Sequence, residues 1–113
     1  MAIVMVWRDL RIRRFTPLAE KLFNLIASDV GRPISDIKLK LEIEDLAQIL
    51  TEVIDSVTVR EMEVRDSSGH WFQLRVRPYK TFENQIDGAV VMLIDIDALK
   101  RTQEAIARQG EPL

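Results

Sequence analysis

The chain has 113 residues and a formal net charge of −2, which fits one domain with a single hydrophobic core. It contains no cysteine, so disulfides, zinc–thiolate sites, cysteine nucleophiles and cysteinyl–flavin adducts are excluded. The near-neutral charge gives no reason to expect a nucleic acid as partner, and no apolar run reaches the roughly 20 residues that span a bilayer. We therefore expect a cytoplasmic protein without membrane insertion.

The first half of the chain is predicted to form a strand hairpin followed by helices. Ala2–Val6 is β-branched and apolar, and Ile12–Phe15 resumes an extended pattern after a polar turn. Thr16 and Pro17 are typical of a helix start, with the threonine as N-cap. After an irregular segment, a second helix is predicted to begin near Glu44–Asp45. Its apolar residues recur at spacings of three and four: Leu46, Ile49, Leu50, Val53, Ile54 and Val57.

Three more strands and a terminal helix are predicted in the second half. Val57–Arg65 reads as a strand, and residues 66–69, Asp-Ser-Ser-Gly, signal a turn. His70–Lys80 alternates between apolar and polar residues, which is typical of a half-buried strand. Ala89–Ile94 is apolar throughout, as in a central strand. In the alternating strand we expect three side chains to face the helices and two arginines to face away: Phe72, Leu74 and Val76 against Arg75 and Arg77.

This order of strands, helices and strands predicts an α+β fold. We expect a five-stranded antiparallel sheet with helices packed on one face and a C-terminal exit helix. The domain is assigned to residues 2–96, a signalling or linker helix to 97–108, and a loose tail to 109–113.

Several short motifs follow one another along the chain: the opening hairpin, the helix start at Phe15–Pro17, the turn at residues 66–71 into a long strand, and Gly88 at the start of the last strand. Taken in this order, they resemble the motifs of PAS domains. Asp95-Ile96-Asp97, followed by basic residues, is similar to the family's exit motif, although Asp97 stands where that motif has threonine. The resemblance implies a PAS-like sheet.

Three segments carry a more particular resemblance. Residues 11–17, 29–33 and 75–79 resemble the PAS segments of bacterial chemotaxis methylesterase/methyltransferase fusion proteins and of hybrid sensor histidine kinases. This implies a non-catalytic sensory or signal-relay module of a larger bacterial signal-transduction protein, with a covalently linked effector domain. The alternative is a ligand-free domain for protein–protein interaction or dimerisation.

PAS domains often hold a ligand between sheet and helices, and the resemblance makes four apolar residues candidates for lining such a pocket: Phe23, Phe72, Leu74 and Met92. The alternative is that these side chains fill the core at native packing density. A cavity of a few hundred Å³ would distinguish the two.

The sequence gives little support for a catalytic site or a cofactor site. The sequence shows no nucleophile–base arrangement, phosphate-binding glycine loop or metal-ligand spacing, so we predict no enzymatic activity. His70, the only histidine, lies in a predicted turn, where we expect an exposed side chain. Haem-binding PAS domains take their axial histidine from the helical half, so we expect no haem, and the missing cysteine excludes a flavin photoadduct. Arg8, Arg11, Arg13 and Arg14 are interpreted as a solvated hairpin face.

Asp95 and Asp97 are the predicted signal exit. Asp95 ends the last strand, and Asp97 is predicted to cap a helix that begins at Ala98. Lys100 and Arg101 lie in the first turn, where the helix dipole disfavours cations. We expect them to pair with an acid such as Asp95 or Asp97. The alternative is an ordinary helix packed on the sheet, with no relay role.

The last strand also bears on oligomeric state. Ala89–Ile94 is apolar on both faces, whereas helices of this chain are expected to cover only one. The other face then needs cover from the C-terminal helix, from a segment outside this sequence, or from a second copy. We favour a homodimer through the sheet face.

Overall fold

The computed structural model describes residues 1–43 and 45–109, which form a five-stranded antiparallel sheet with helices. The strands are β1 (Ala2–Trp7), β2 (Ile12–Phe15), β3 (Arg60–Arg65), β4 (Trp71–Lys80) and β5 (Ile86–Asp95). They lie in the order β2-β1-β5-β4-β3, so the last strand occupies the centre of the sheet. This confirms the predicted α+β fold.

Within the residues that the structure describes, three α-helices and two single-turn 3₁₀ helices accompany the sheet. The α-helices are α1 (Pro17–Leu22), α2 (Leu46–Ser56) and α3 (Asp97–Gln109), and the 3₁₀ turns are Ala27–Asp29 and Ile34–Asp36. Across the described ranges, no helix is long and apolar enough to cross a membrane. Residues 110–113 of the predicted tail lie outside the described residues, so that assignment stays a prediction.

One face of the sheet, called here the inner face, packs against α1 and α2. On β4, Phe72, Leu74 and Val76 point to this face and are at most 3% exposed. Arg75 is half-buried and Arg77 is exposed, both on the opposite, outer face. The alternation of apolar and polar residues along this strand therefore predicted its register correctly.

The central strand β5 corrects one candidate pocket residue. Val91 and Leu93 are buried on the inner face, whereas Val90 and Met92 are half-buried on the outer face. Met92 pairs with Arg75 across the sheet, which fixes its side. The prediction that Met92 lies between sheet and helices is wrong, because neighbouring residues of a strand point to opposite faces.

The helices α1 and α2 begin close to the predicted residues, but the predicted capping contact of Thr16 is not formed. Thr16 precedes α1, but its side chain caps no helical N–H. Its Oγ1 instead accepts a hydrogen bond of 3.0 Å from the N–H of Ile3, which ties the helix start to β1. Asp45 caps α2 by accepting from the N–H of Gln48 at 3.1 Å.

The junction between α2 and β3 differs from the predicted one. Val57 ends α2 in the left-handed conformation, with a φ of 53°. β3 consequently begins only at Arg60, and the predicted strand start at Val57 is wrong. Valine is β-branched and favours extended backbone. Val57 nevertheless adopts the left-handed conformation, because it ends the helix.

Candidate functional site

Four side chains meet at the end of the sheet where β5 ends and α3 begins. We call this group, Asp66, His70, Asp95 and Asp97, the exit junction. Asp66 organises the turn between β3 and β4, because its Oδ1 accepts hydrogen bonds from the N–H and hydroxyl of Ser68 and from the N–H of His70, at 2.7–2.9 Å. This bonding fixes where the histidine enters β4.

His70 bridges the turn and the end of β5. Its Nε2 lies 2.9 Å from Oδ2 of Asp95, and its Nδ1 lies 3.8 Å from Oδ2 of Asp97. The imidazole also packs on Phe72, with ring centroids 4.9 Å apart. The sequence predicted an exposed turn histidine, and that prediction missed its contacts with both aspartates of the exit.

Asp97 links α3 to the sheet rather than capping the helix. Its Oδ1 accepts from the N–H of Trp71 at 3.2 Å, and its Oδ2 accepts from Nε of Arg101 at 2.7 Å. The predicted cap is therefore wrong. Asp95, two residues before the helix, instead accepts from the first N–H of the helix, that of Asp97, at 3.0 Å. The expected acidic partner of Arg101 is confirmed.

A second contact holds the first turn of α3 against the outer face. Lys100 pairs with Glu63 at 2.8 Å, so its partner is not one of the two predicted aspartates. Its Nζ also lies 4.8 Å from the ring centroid of Trp71. Beyond this turn the helix leaves the sheet, and residues 101–108 are all exposed. Over residues 97–108 the helix is therefore attached to the sheet through its first turn.

Hydrogen bonds at the exit junction shift the pKa values of His70, Asp95 and Asp97. The hydrogen bond to Asp95 raises the pKa of His70, against the opposing effect of burial. The N–H of Asp97, and then the imidazole of His70, lower the pKa of Asp95. The Arg101 guanidinium lowers the pKa of Asp97. The arrangement therefore favours an imidazolium beside ionised carboxylates.

We expect the free energy of unfolding to fall as the pH rises through the raised pKa of His70. Because the folded-state pKa lies above the unfolded-state value, this stabilisation is complete below the unfolded pKa and is lost above the folded one. The side chain is 38% exposed, so the loss is at most about 1 kcal/mol. Urea unfolding between about pH 5 and pH 9 measures it. The same pH dependence in His70→Gln would contradict the assignment.

The remaining pocket candidates are core residues. Phe23 and Leu74 are 0% exposed, and Phe72 is 3% exposed. Phe72 differs from the other two because it also contacts His70, which joins the core to the exit junction.

The arginines of the first hairpin serve several separate contacts. Arg11 pairs with Asp9 at 3.6 Å and donates to the carbonyl of Gly31. Arg13 lies 4.1 Å from the ring centroid of Trp7 and 5.5 Å from that of Tyr79. These contacts divide the arginines between different partners and cover two of the aromatic residues.

Solved structures with the same fold include domains of signalling proteins. The PAS domain of histidine kinase ThkA matches with a TM-score of 0.71 at 20% identity, over 84% of this chain and 100% of that chain. ThkA in complex with the response regulator TrrA matches with a TM-score of 0.80 at 21% identity, over 96% of this chain and 32% of that chain. The VqmA dimer of Vibrio cholerae without its target DNA gives 0.67 at 14% identity, over 87% and 47%.

Sequence comparison gives a related protein and a family. An uncharacterised 104.1 kDa protein of Rhodobacter capsulatus, from the hypE 3′ region, is 31% identical over 103 residues. The match covers 91% of this chain but only 11% of that protein. The family model for the PAS domain matches residues 1–97, which include the whole sheet, α1 and α2. The chain belongs to the PAS domain family.

Proposed function

We propose that this domain is a sensory or signal-relay module of a larger bacterial signal-transduction protein, without catalysis of its own. The observation that carries the proposal is the hydrogen-bonded connection from sheet to helix. Asp97 joins the backbone of Trp71 on β4 to Arg101 on α3, and Asp95 joins His70 to the first N–H of the helix.

The attachment of α3 suits a relay. The helix is held at its first turn by Asp97 and Lys100, whereas its later residues contact little of the sheet. A shift of β4 or β5 would therefore move the whole helix relative to the domain. Such a relay needs two states that a stimulus stabilises unequally.

The comparisons support a larger protein around this domain. The Rhodobacter capsulatus relative is about nine times longer than the matched segment, since the match covers 11% of it. The match to ThkA in its complex covers 96% of this chain, more than residues 1–97 provide, so it extends into α3. We propose a covalently linked effector of the two-component or chemotaxis methyltransferase type, acting in the cytoplasm.

The proposal includes neither haem nor flavin. Nε2 of His70 is hydrogen-bonded to Asp95 at 2.9 Å, and the ring lies at the end of the sheet beside the exit junction, whereas haem-binding PAS domains take their axial histidine from the helical half. The full burial of Phe23 and Leu74 also favours a filled core. That filled core is the specific observation in favour of the alternative function, a ligand-free interaction or dimerisation domain.

Replacing both Asp95 and Asp97 by alanine in the full-length protein is expected to change effector activity at least about fivefold, because allosteric couplings are commonly of this size. Kinase or methyl-transfer activity of the linked effector measures the change, and circular dichroism checks that the domain stays folded. Asp55→Ala, an exposed acid on α2, is the matched control. If the double variant folds and the effector activity is unchanged, α3 has no relay role at this junction. That result would favour the alternative function.

We also propose a homodimer through the outer face of the sheet. This face carries a half-buried apolar patch: Ile3, Met5, Val90, Met92 and Ile94. α3 meets this face in its first turn, through Lys100 at Glu63 and Trp71, and residues 101–108 are exposed, so within the described residues the helix leaves the patch uncovered. A second copy would bury it.

Met92→Glu is expected to weaken self-association at least about tenfold, because it places a charge in the apolar patch. Sedimentation velocity over a range of protein concentrations measures the dimerisation constant. Val59→Glu is the matched control, since Val59 is 52% exposed and lies before β3, outside the patch. A wild-type chain that stays monomeric at high micromolar concentration would contradict the proposed dimer.

A further inference from the structure

We propose that β3 binds an extended segment of a partner protein, in which basic and apolar residues alternate, as an added strand of the sheet. β3 is the last strand in the order of the sheet, and within the described residues no strand pairs with its other side. Such an edge offers backbone N–H and C=O groups to an incoming strand. The bound segment would lie in the plane of the sheet, beside β3.

The backbone groups that face this edge belong to alternate residues of β3. Arg65 is one of them, because its carbonyl accepts from the N–H of Glu42 at 2.8 Å, on the side away from β4. Glu63 and Glu61, two and four residues earlier, face the same side, since the direction of the backbone groups alternates along an antiparallel strand. Each of these two glutamates therefore offers one donor and one acceptor to an added strand.

The chain itself shows that this edge accepts a strand. Directly after the end of β3, Asp66 pairs with Leu41 in an antiparallel bridge. This pairing ends at Ile43, whose N–H turns back to the carbonyl of Leu41 at 3.0 Å. Among the described residues, the edge beside residues 60–64 is therefore left for a segment of about five residues, one for each residue of the strand that it faces.

A groove of about 450 Å³ follows this part of the edge, between β3 and α2. Met62 of β3 and Ile49 of α2 line the groove, and both are half-buried. Glu63 also lines it, although its side chain pairs with Lys100 on the outer face, so the groove reaches the backbone of the edge. Every second side chain of an added strand would therefore cover the apolar surface of Met62 and Ile49.

The other side chains of the added strand would lie beside glutamates. Glu61 and Glu63 have Arg75 and Gln73 as their neighbours on β4. Each glutamate forms one ion pair, with Arg75 at 2.8 Å and with Lys100 at 2.8 Å. A lysine or arginine in the added strand would place each carboxylate between two cations, whereas an acidic residue would be repelled. The edge therefore selects a segment in which basic residues alternate with apolar ones.

A second copy of β3 fits this edge less well than such a segment. Antiparallel pairing centred on Met62 would place Glu61 of each copy opposite Glu63 of the other, and like charges directly opposite are destabilising. Pairing centred on Glu63 would place Glu61 opposite Arg65, but the carbonyl of Arg65 already accepts from the N–H of Glu42. The observations therefore favour a partner protein as the occupant.

An NMR titration of the chain with the peptide acetyl-Val-Lys-Val-Lys-Val-amide tests the site. We expect a Kd of about 1 mM or tighter, with shifts of the amide resonances of Glu61 and Glu63. Methylating the backbone nitrogens of both lysines should weaken binding at least about tenfold, because it removes the N–H donors that pair with β3 and keeps the charges. Replacing both lysines by glutamate should weaken binding at least as much.

Two variants of the chain place the peptide on this edge. Ile49→Gln makes the groove more polar and should weaken binding at least about fivefold. Glu61→Gln removes one carboxylate beside the added strand and should weaken binding about twofold to fivefold. Glu20→Gln, which removes an exposed acid of α1, is the matched control and should bind the peptide like the wild type. Ile49 is half-buried and Glu61 is exposed, so both variants are suited to folding.

Four outcomes would overturn the proposal. They are no shift at Glu61 and Glu63 with the lysine peptide, equal affinity for the methylated peptide, equal affinity for the glutamate peptide, or shifts that grow with protein concentration when no peptide is present. The last outcome would assign the edge to a second copy of the chain. The titration involves neither the effector domain nor the outer face, so its result is independent of the proposed relay and of the proposed dimer.

Discussion

Replacing Gly88 with alanine is expected to lower the free energy of unfolding by at least about 3 kcal/mol, beyond the usual range for overpacking. A Cβ on Gly88 would collide with the carbonyl oxygen of Val6 and lie 3.1 Å from Cα of Trp7. Both atoms belong to the backbone of β1, so relief requires the strand to move. Urea denaturation followed by circular dichroism measures the loss.

A second glycine provides the control for this prediction. Gly69 has a φ of +86°, but a Cβ there would meet no atom within 4 Å. Gly69→Ala should therefore cost only the left-handed backbone energy, about 1–2 kcal/mol. If Gly88→Ala were no more destabilising than Gly69→Ala, the close approach of β1 and β5 would not be a feature of the folded protein.

An irregularity in the sheet lies directly beside Gly88. Tyr79 pairs with Gly88 but Lys80 pairs with Ile86, so Asp87 is one extra residue on β5. Such a bulge bends its strand and often involves glycine. The sequence predicted a turn before this strand, but nothing in it indicated the bulge or its contact with β1.

The face to which each strand residue points could be predicted where one face of the strand is polar. It could not be predicted where both faces are apolar. On β4, arginines alternate with Phe72, Leu74 and Val76, so only one orientation buries the apolar set. On β5 the residues Val90 and Met92 are as apolar as their buried neighbours. Met92 was therefore misplaced, because composition does not distinguish its two faces.

The exit junction depends on contacts between residues far apart in the sequence. His70 and Asp95 are 25 residues apart and meet because Phe72 pairs with Asp95 across β4 and β5. Antiparallel pairing of these strands was predictable, and it places the start of β4 beside the end of β5. The register that brings the two side chains together also depends on the bulge, which the sequence did not reveal.

Leu74→Ala is expected to lower the free energy of unfolding by about 2–5 kcal/mol, as for other large-to-small core substitutions. Leu74 is 0% exposed and pairs with Met62 on β3 and Leu93 on β5. Its truncation removes apolar burial and leaves a cavity at the centre of the inner face. Urea unfolding at neutral pH measures the loss. When the free energy of unfolding depends on urea concentration with the same slope in both proteins, the difference between their midpoints gives the difference in stability.

The matched control lies three residues along the same strand. Arg77 is exposed on the outer face, so Arg77→Ala should stay within about 0.5 kcal/mol of the wild type. Both substitutions place alanine in β4, so they share the change in β-propensity and differ mainly in burial. A loss below about 0.5 kcal/mol for Leu74→Ala would mean that this side chain is not packed in the core. The assignment of inner and outer faces, and with it the proposed outer-face dimer, would then fail.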